Sequence, residues 1–120
     1  MRYLIKKGQH TTFGVDHQLA SIKDHEDWKK RVPVKDYEGL SEYFTSTKEG
    51  EKNVLWPGHP LYLAKTSGTT SGAKYIPLTK QSMPFHIRSA KMALLSYIDE
   101  TGHTDFVDGK MMFLQGSPAL

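Results

Sequence analysis

A chain of 120 residues that is 38% hydrophobic and 24% charged can bury one modest core as a small globular unit. It has no cysteine, which excludes disulfides, zinc-thiolate sites and thiol nucleophiles and leaves hydroxyls, carboxylates, amines or bound ligands to carry any chemistry. The formal charge of +3 does not make it a nucleic-acid binder, because its tight basic cluster, Lys29-Lys30-Arg31, follows Asp24, Glu26 and Asp27 and reads as a solvated helix face.

No run of eighteen apolar residues occurs, and the opening MRYLIKKGQH has too short an apolar stretch for a secretory signal. The sequence therefore predicts no membrane partner, no nucleic-acid partner and, by default, a cytoplasmic location. Six histidines are scattered without metal-ligand spacing, so no metal site is expected from them; they read as surface or capping residues.

The pattern divides at the turn Trp56-Pro57-Gly58-His59-Pro60. Before it the chain reads as helical. Asp24 with Asp27 and Trp28, stopped by Pro33, predicts a short helix whose acidic first turn suits the helix dipole. A second helix is expected to start with Asp36 as cap, to carry Tyr37, Leu40, Tyr43 and Phe44 at helical spacing, and to finish before Gly50; its aromatics read as core.

After the turn, Leu61 to Lys65 and Lys74 to Leu78 are short apolar runs expected to be strands. From Thr79 to Glu100, Met83, Ile87, Ala90, Leu94 and Tyr97 recur at steps of three and four, which predicts an amphipathic helix with Pro84 in its first turn and Gly102 as terminator. Lys110 to Leu114 is a continuous apolar run and reads as a strand buried on both faces. The class is α/β, a helical first half followed by strand-loop-strand-helix-strand.

Between the two short strands lies Thr66-Ser67-Gly68-Thr69-Thr70-Ser71-Gly72-Ala73-Lys74. A linker could have this composition, but a linker joins separable units and this loop is bracketed tightly by strands. Gly68 and Gly72 permit positive φ and close backbone approach, so successive N–H groups can converge on an anion. Ser67, Thr69, Thr70 and Ser71 add hydroxyl donors. Lys74 brings a positive charge to the rim, or is a strand-end lysine facing water. The spacing is neither that of a Walker A loop, which needs four residues between its glycines and a following Lys-Ser or Lys-Thr, nor the dinucleotide pattern.

The loop resembles the phosphate-binding loop of the adenylate-forming superfamily, in which a Thr/Ser-Ser-Gly-Thr-Thr core leads to a lysine; Gly72 stands one place later than the usual glycine. Its setting, LWPGHPLYLAKTSGTTSGAKYIPLT, preceded by DHEDWKKRVPVKDYEGL and followed by GKMMFLQGSP, is similar to the auxin-responsive acyl acid amido synthetase family. The resemblance covers nearly the whole chain. It implies a ligase that uses ATP and Mg²⁺ to convert a carboxylic acid substrate to an acyl-adenylate and passes the acyl group to an amino acid acceptor. Ser67, Gly68, Thr69, Thr70, Ser71, Gly72 and Lys74 would hold the nucleotide phosphates.

Family enzymes are several times longer, so the resemblance implies a partial N-terminal adenylating domain over residues 1–120, mainly helical over 1–55 and carrying the loop, strands and helix over 56–120. The remaining ligand-binding and catalytic groups would lie beyond Leu120, the isolated chain would be inactive, and no catalytic residue is named. Its uncovered apolar helix face and open sheet edge predict marginal stability and self-association in isolation. Another adenylate-forming ligase such as an aryl-CoA ligase, or a non-catalytic truncated product or interaction module, would share the loop.

Overall fold

The computed structural model describes residues 1–66, 72–110 and 112, and the chain divides into two compact units, 1–83 and 84–120. In the first, α1 (Arg2–Gly8), α2 (Thr12–Asp16), α3 (His25–Arg31) and α4 (Ser41–Lys48) are followed by the strands β1 (Tyr62–Lys65) and β2 (Tyr75–Leu78). Short 3-10 turns cover Leu19–Ser21 and Glu38–Leu40. In the second unit, α5 (Met83–Thr101) is followed by a 3-10 turn, Asp105–Val107. No helix among the described residues is long and apolar enough to cross a membrane.

The core of the first unit gathers Ile5, Leu19 and Ile22, with Phe13, Trp28 and Val32 packed against them. Fully burying each such aliphatic side chain is worth about 1.5–3 kcal/mol, enough to hold helices too short to persist alone. The five residues of α2 are the clearest case. Thr11 caps it, its buried hydroxyl accepting from the Gly14 N–H at 3.0 Å and donating to the Gly8 carbonyl at 2.7 Å. Two further N–H groups of the first turn, on Thr12 and Phe13, donate to the carbonyls of Asn53 at 2.8 Å and Val54 at 3.0 Å. The donors that a helix N-terminus leaves unpaired are thus satisfied from a segment forty residues away in sequence.

That segment is a turn closed on itself. Asn53 has φ +58° and Gly58 φ +84°; the Gly58 N–H donates to Asn53 Oδ1 at 2.7 Å, while the Asn53 N–H donates to the Gly58 carbonyl at 3.0 Å. Val54 is buried between them. A second bridge ties α2 to α4: the Tyr43 hydroxyl donates to Asp16 Oδ2 at 2.7 Å, and its ring meets Phe13 edge-on. Desolvation, the hydrogen bond to Asp16 and the negative charges of Asp16 and Glu42 push the Tyr43 pKa up to about 12.

Most expected elements are found. Asp24 caps α3 through the Asp27 N–H, three basic residues end it, and Lys29 pairs with Glu26, so the Lys29-Lys30-Arg31 cluster lies on a largely solvated face. The helix expected from Asp36 is broken in two. Asp36 accepts from the Gly39 N–H, but only a 3-10 turn follows, and Leu40 at φ −113°, ψ 7° interrupts the helical path before α4 begins. Gly39, a weak helix former inside the first turn, accounts for the break. Pro84 lies in the first turn of α5, and Gly102, at φ +69°, follows its end.

The strands pair antiparallel, Tyr62 with Leu78 and Lys65 with Tyr75, each one residue shorter than the sequence suggests. The Thr66 N–H bonds the Lys74 carbonyl, and the alternation of bonded and non-bonded pairs then puts Leu63–Pro77 at a non-bonded position. The missing N–H of Pro77 therefore costs no hydrogen bond to β1. Of the strand expected over Lys110 to Leu114, only Lys110 and Met112 are described. Both lie outside any strand, and Met112 is 83% exposed rather than buried, because the second unit holds no strand of its own among its described residues. Met111, Phe113 and Leu114 lie outside the described residues.

Candidate functional site

The Ser/Thr/Gly loop joins β1 to β2, so it caps a hairpin whose register is already fixed. Ser67, Gly68, Thr69, Thr70 and Ser71 lie outside the described residues. Gly72, Ala73 and Lys74, the loop's second leg, are described, as is Thr66 at the start of the first. The Thr66 N–H donates to the Lys74 carbonyl at 2.9 Å and closes the neck of the loop. Gly72 has φ +87°, the left-handed region in which an L side chain is strained. A Cβ there would meet nothing within 4 Å, so glycine serves backbone conformation at this position rather than relief of a clash.

Lys74 does not point freely into water. Its Nζ lies 3.8 Å from Glu38 Oε1 and 5.0 Å from the centre of the Tyr37 ring. The next residue is gripped from the same helical segment, the Tyr75 N–H donating to the Tyr37 hydroxyl at 2.9 Å and Lys48 Nζ lying 4.5 Å over the Tyr75 ring. Tyr37 is itself stacked on Phe44, with ring centres 4.4 Å apart and planes 9° from parallel. The loop's second leg thus rests on an aromatic platform built from residues 37–48. Chemically, the leg presents a lysine whose charge is only partly balanced by an exposed carboxylate, beside a glycine that can turn an N–H towards an anion.

Their helical spacing predicts that Tyr37 and Phe44 belong to the core. They are half-buried, and Tyr37 reaches the loop. Nothing in local spacing signals this, since Tyr37 and Tyr75 are thirty-eight residues apart. Among the described residues no three His, Asp or Glu side chains gather as metal ligands. A separate small cavity of about 80 Å³ lies between the Asn53–Gly58 turn and the hairpin, lined by Thr47, Val54, Trp56 and Pro77 among others.

No curated protein and no solved structure matches the chain significantly. The profile described as the GH3 family N-terminal domain matches residues 1–118, spanning the helical half, the loop with both its strands, and α5. With nearly its whole length matched, the chain belongs to the GH3 family.

Proposed function

We propose that this chain supplies the phosphate-holding part of an ATP-dependent acyl acid amido synthetase. Membership of the GH3 family, with the loop inside the matched region, is the observation that carries the reading. The closed neck at Thr66–Lys74, the left-handed Gly72 and the lysine at the rim support it.

The substrate carboxylate would attack the α-phosphorus of ATP, forming an acyl-adenylate and expelling pyrophosphate. An amino acid amine would then attack the acyl carbon and displace AMP. In the first step negative charge grows on the departing pyrophosphate. Backbone N–H groups, the hydroxyls of Ser67, Thr69, Thr70 and Ser71, and Lys74 would stabilise that charge without transferring a proton. Mg²⁺ would arrive with the nucleotide, since the described residues offer no carboxylate or histidine cage for it.

The test is ATP–pyrophosphate exchange by the full-length protein. Ser67→Ala with Thr69→Ala should slow exchange by about a hundredfold or more, since one lost donor in such a site costs about 3 kcal/mol. Gly72→Val, which strains the backbone at φ +87°, should weaken ATP binding more than Thr70→Ser. Exchange that ignores the double variant defeats the proposal.

A further inference from the structure

We infer that Tyr37 is a positioning residue of the phosphate loop, holding the backbone of its second leg and offering Lys74 a resting place shared with Glu38. The inference rests on the nucleotide reading of the loop and extends it to residues outside the loop.

Three contacts carry it. The Tyr37 hydroxyl accepts the Tyr75 N–H at 2.9 Å, beside the Thr66–Lys74 hydrogen bond that closes the neck. Its ring stacks flat on Phe44, which fixes where the hydroxyl stands. The same ring receives the Lys74 ammonium at 5.0 Å. One side chain therefore restrains both the main chain and the charge of the leg that would face the phosphates. Preorganisation of this kind matters because a cradle that must rearrange as charge develops loses part of its stabilisation.

Glu38 works in the opposite sense. Its carboxylate, 3.8 Å from Lys74 Nζ, competes with any phosphate for the ammonium, while the exposure of both groups keeps that hold weak and sensitive to salt. Binding of a nucleotide would exchange the carboxylate for phosphate oxygens while the aromatic face stays beneath the lysine stem.

Two substitutions with opposite signs test this. Tyr37→Phe keeps the ring, the stack and the cation contact and removes only the acceptor of the Tyr75 N–H. In the full-length protein it should raise KM for ATP about fivefold to tenfold, the worth of one such hydrogen bond, and leave KM for the carboxylic acid unchanged. Glu38→Gln should lower KM for ATP about twofold to threefold, with the gain fading in high salt. Independently of activity, amide hydrogen exchange of Tyr75 should accelerate at least about fivefold in Tyr37→Phe while the melting temperature stays within a few degrees. A merely structural role would lower the melting temperature and raise KM for acid and ATP together, and would overturn the inference. So would wild-type ATP kinetics in Tyr37→Phe when Gly72→Val is impaired, an outcome that leaves the loop's own role standing. Unchanged ATP kinetics in Tyr37→Phe, Gly72→Val and Lys74→Ala alike would remove both readings.

Discussion

The helices around α2 and the long helix α5 use similar apolar residues to opposite effect. Ile5, Leu19 and Ile22 come from short segments and are buried. Ile87, Leu94 and Tyr97 lie on a nineteen-residue helix with regular spacing, and each is between 42% and 52% exposed. Regular periodicity marks which face of a helix is apolar; it does not supply what covers that face. The short helices are held by hydrogen bonds and packing from distant segments, whereas α5 meets the length that a helix needs to form from its own backbone bonds.

The largest contrast should appear when one leucine is removed from each region. Leu19→Ala should cost about 3 kcal/mol in urea unfolding, the usual value for a buried leucine, and Leu94→Ala no more than about 0.5 kcal/mol. Equal losses would show that Leu94 is covered in solution.

A smaller effect, but one of definite sign, belongs to the glycines where α1 meets α2. A Cβ on Gly14 would drive into the Gly8 carbonyl and the backbone of Gln9, while one on Gly8 would reach only the Leu19 Cδ1 at 3.5 Å. Gly14→Ala should therefore destabilise by about 2 kcal/mol, and Gly8→Ala should be neutral or stabilise by up to about 1 kcal/mol. Matching thermal shifts in the two variants would mean that α1 and α2 do not approach as closely as this.

The smallest effect concerns the bridge from α4 to α2. The Tyr43 pKa is raised to about 12 in the folded chain against an ordinary 10, so the neutral phenol is favoured by folding. The stability this contributes is complete below pH 10 and is lost as the pH rises from 10 to 12. The difference between wild-type and Tyr43→Phe phenolate absorbance should accordingly rise with a midpoint near pH 12. A midpoint at 10 would mean that the Asp16 contact is not formed.

Much of this organisation is legible in local sequence because its causes are local. Asp24 and Pro33 bracket α3, Pro84 and Gly102 bracket α5, and the two apolar runs frame the loop; each signal acts within a few residues of the structure it sets. The second helix is misread for a related reason: aromatics at helical spacing outweigh a single Gly39, and the backbone breaks there all the same. The candidate site is legible as a loop and a lysine. Its support is not, since Tyr37 carries the same signature as any core aromatic.

The sequence by itself determined the hairpin, the glycine-bearing loop between its strands, the limits of α3 and α5, and membership of the GH3 family. Tertiary structure alone decided that carbonyls of Asn53 and Val54 complete the N-terminus of α2, that Gly14 must lack a side chain, and that Tyr37 seats the loop's second leg. The division follows from range. Caps, turns and helix periods are set by neighbours along the chain, whereas a hydrogen bond between residues thirty-eight positions apart exists only once packing has brought them together, and it leaves no period or spacing to read beforehand.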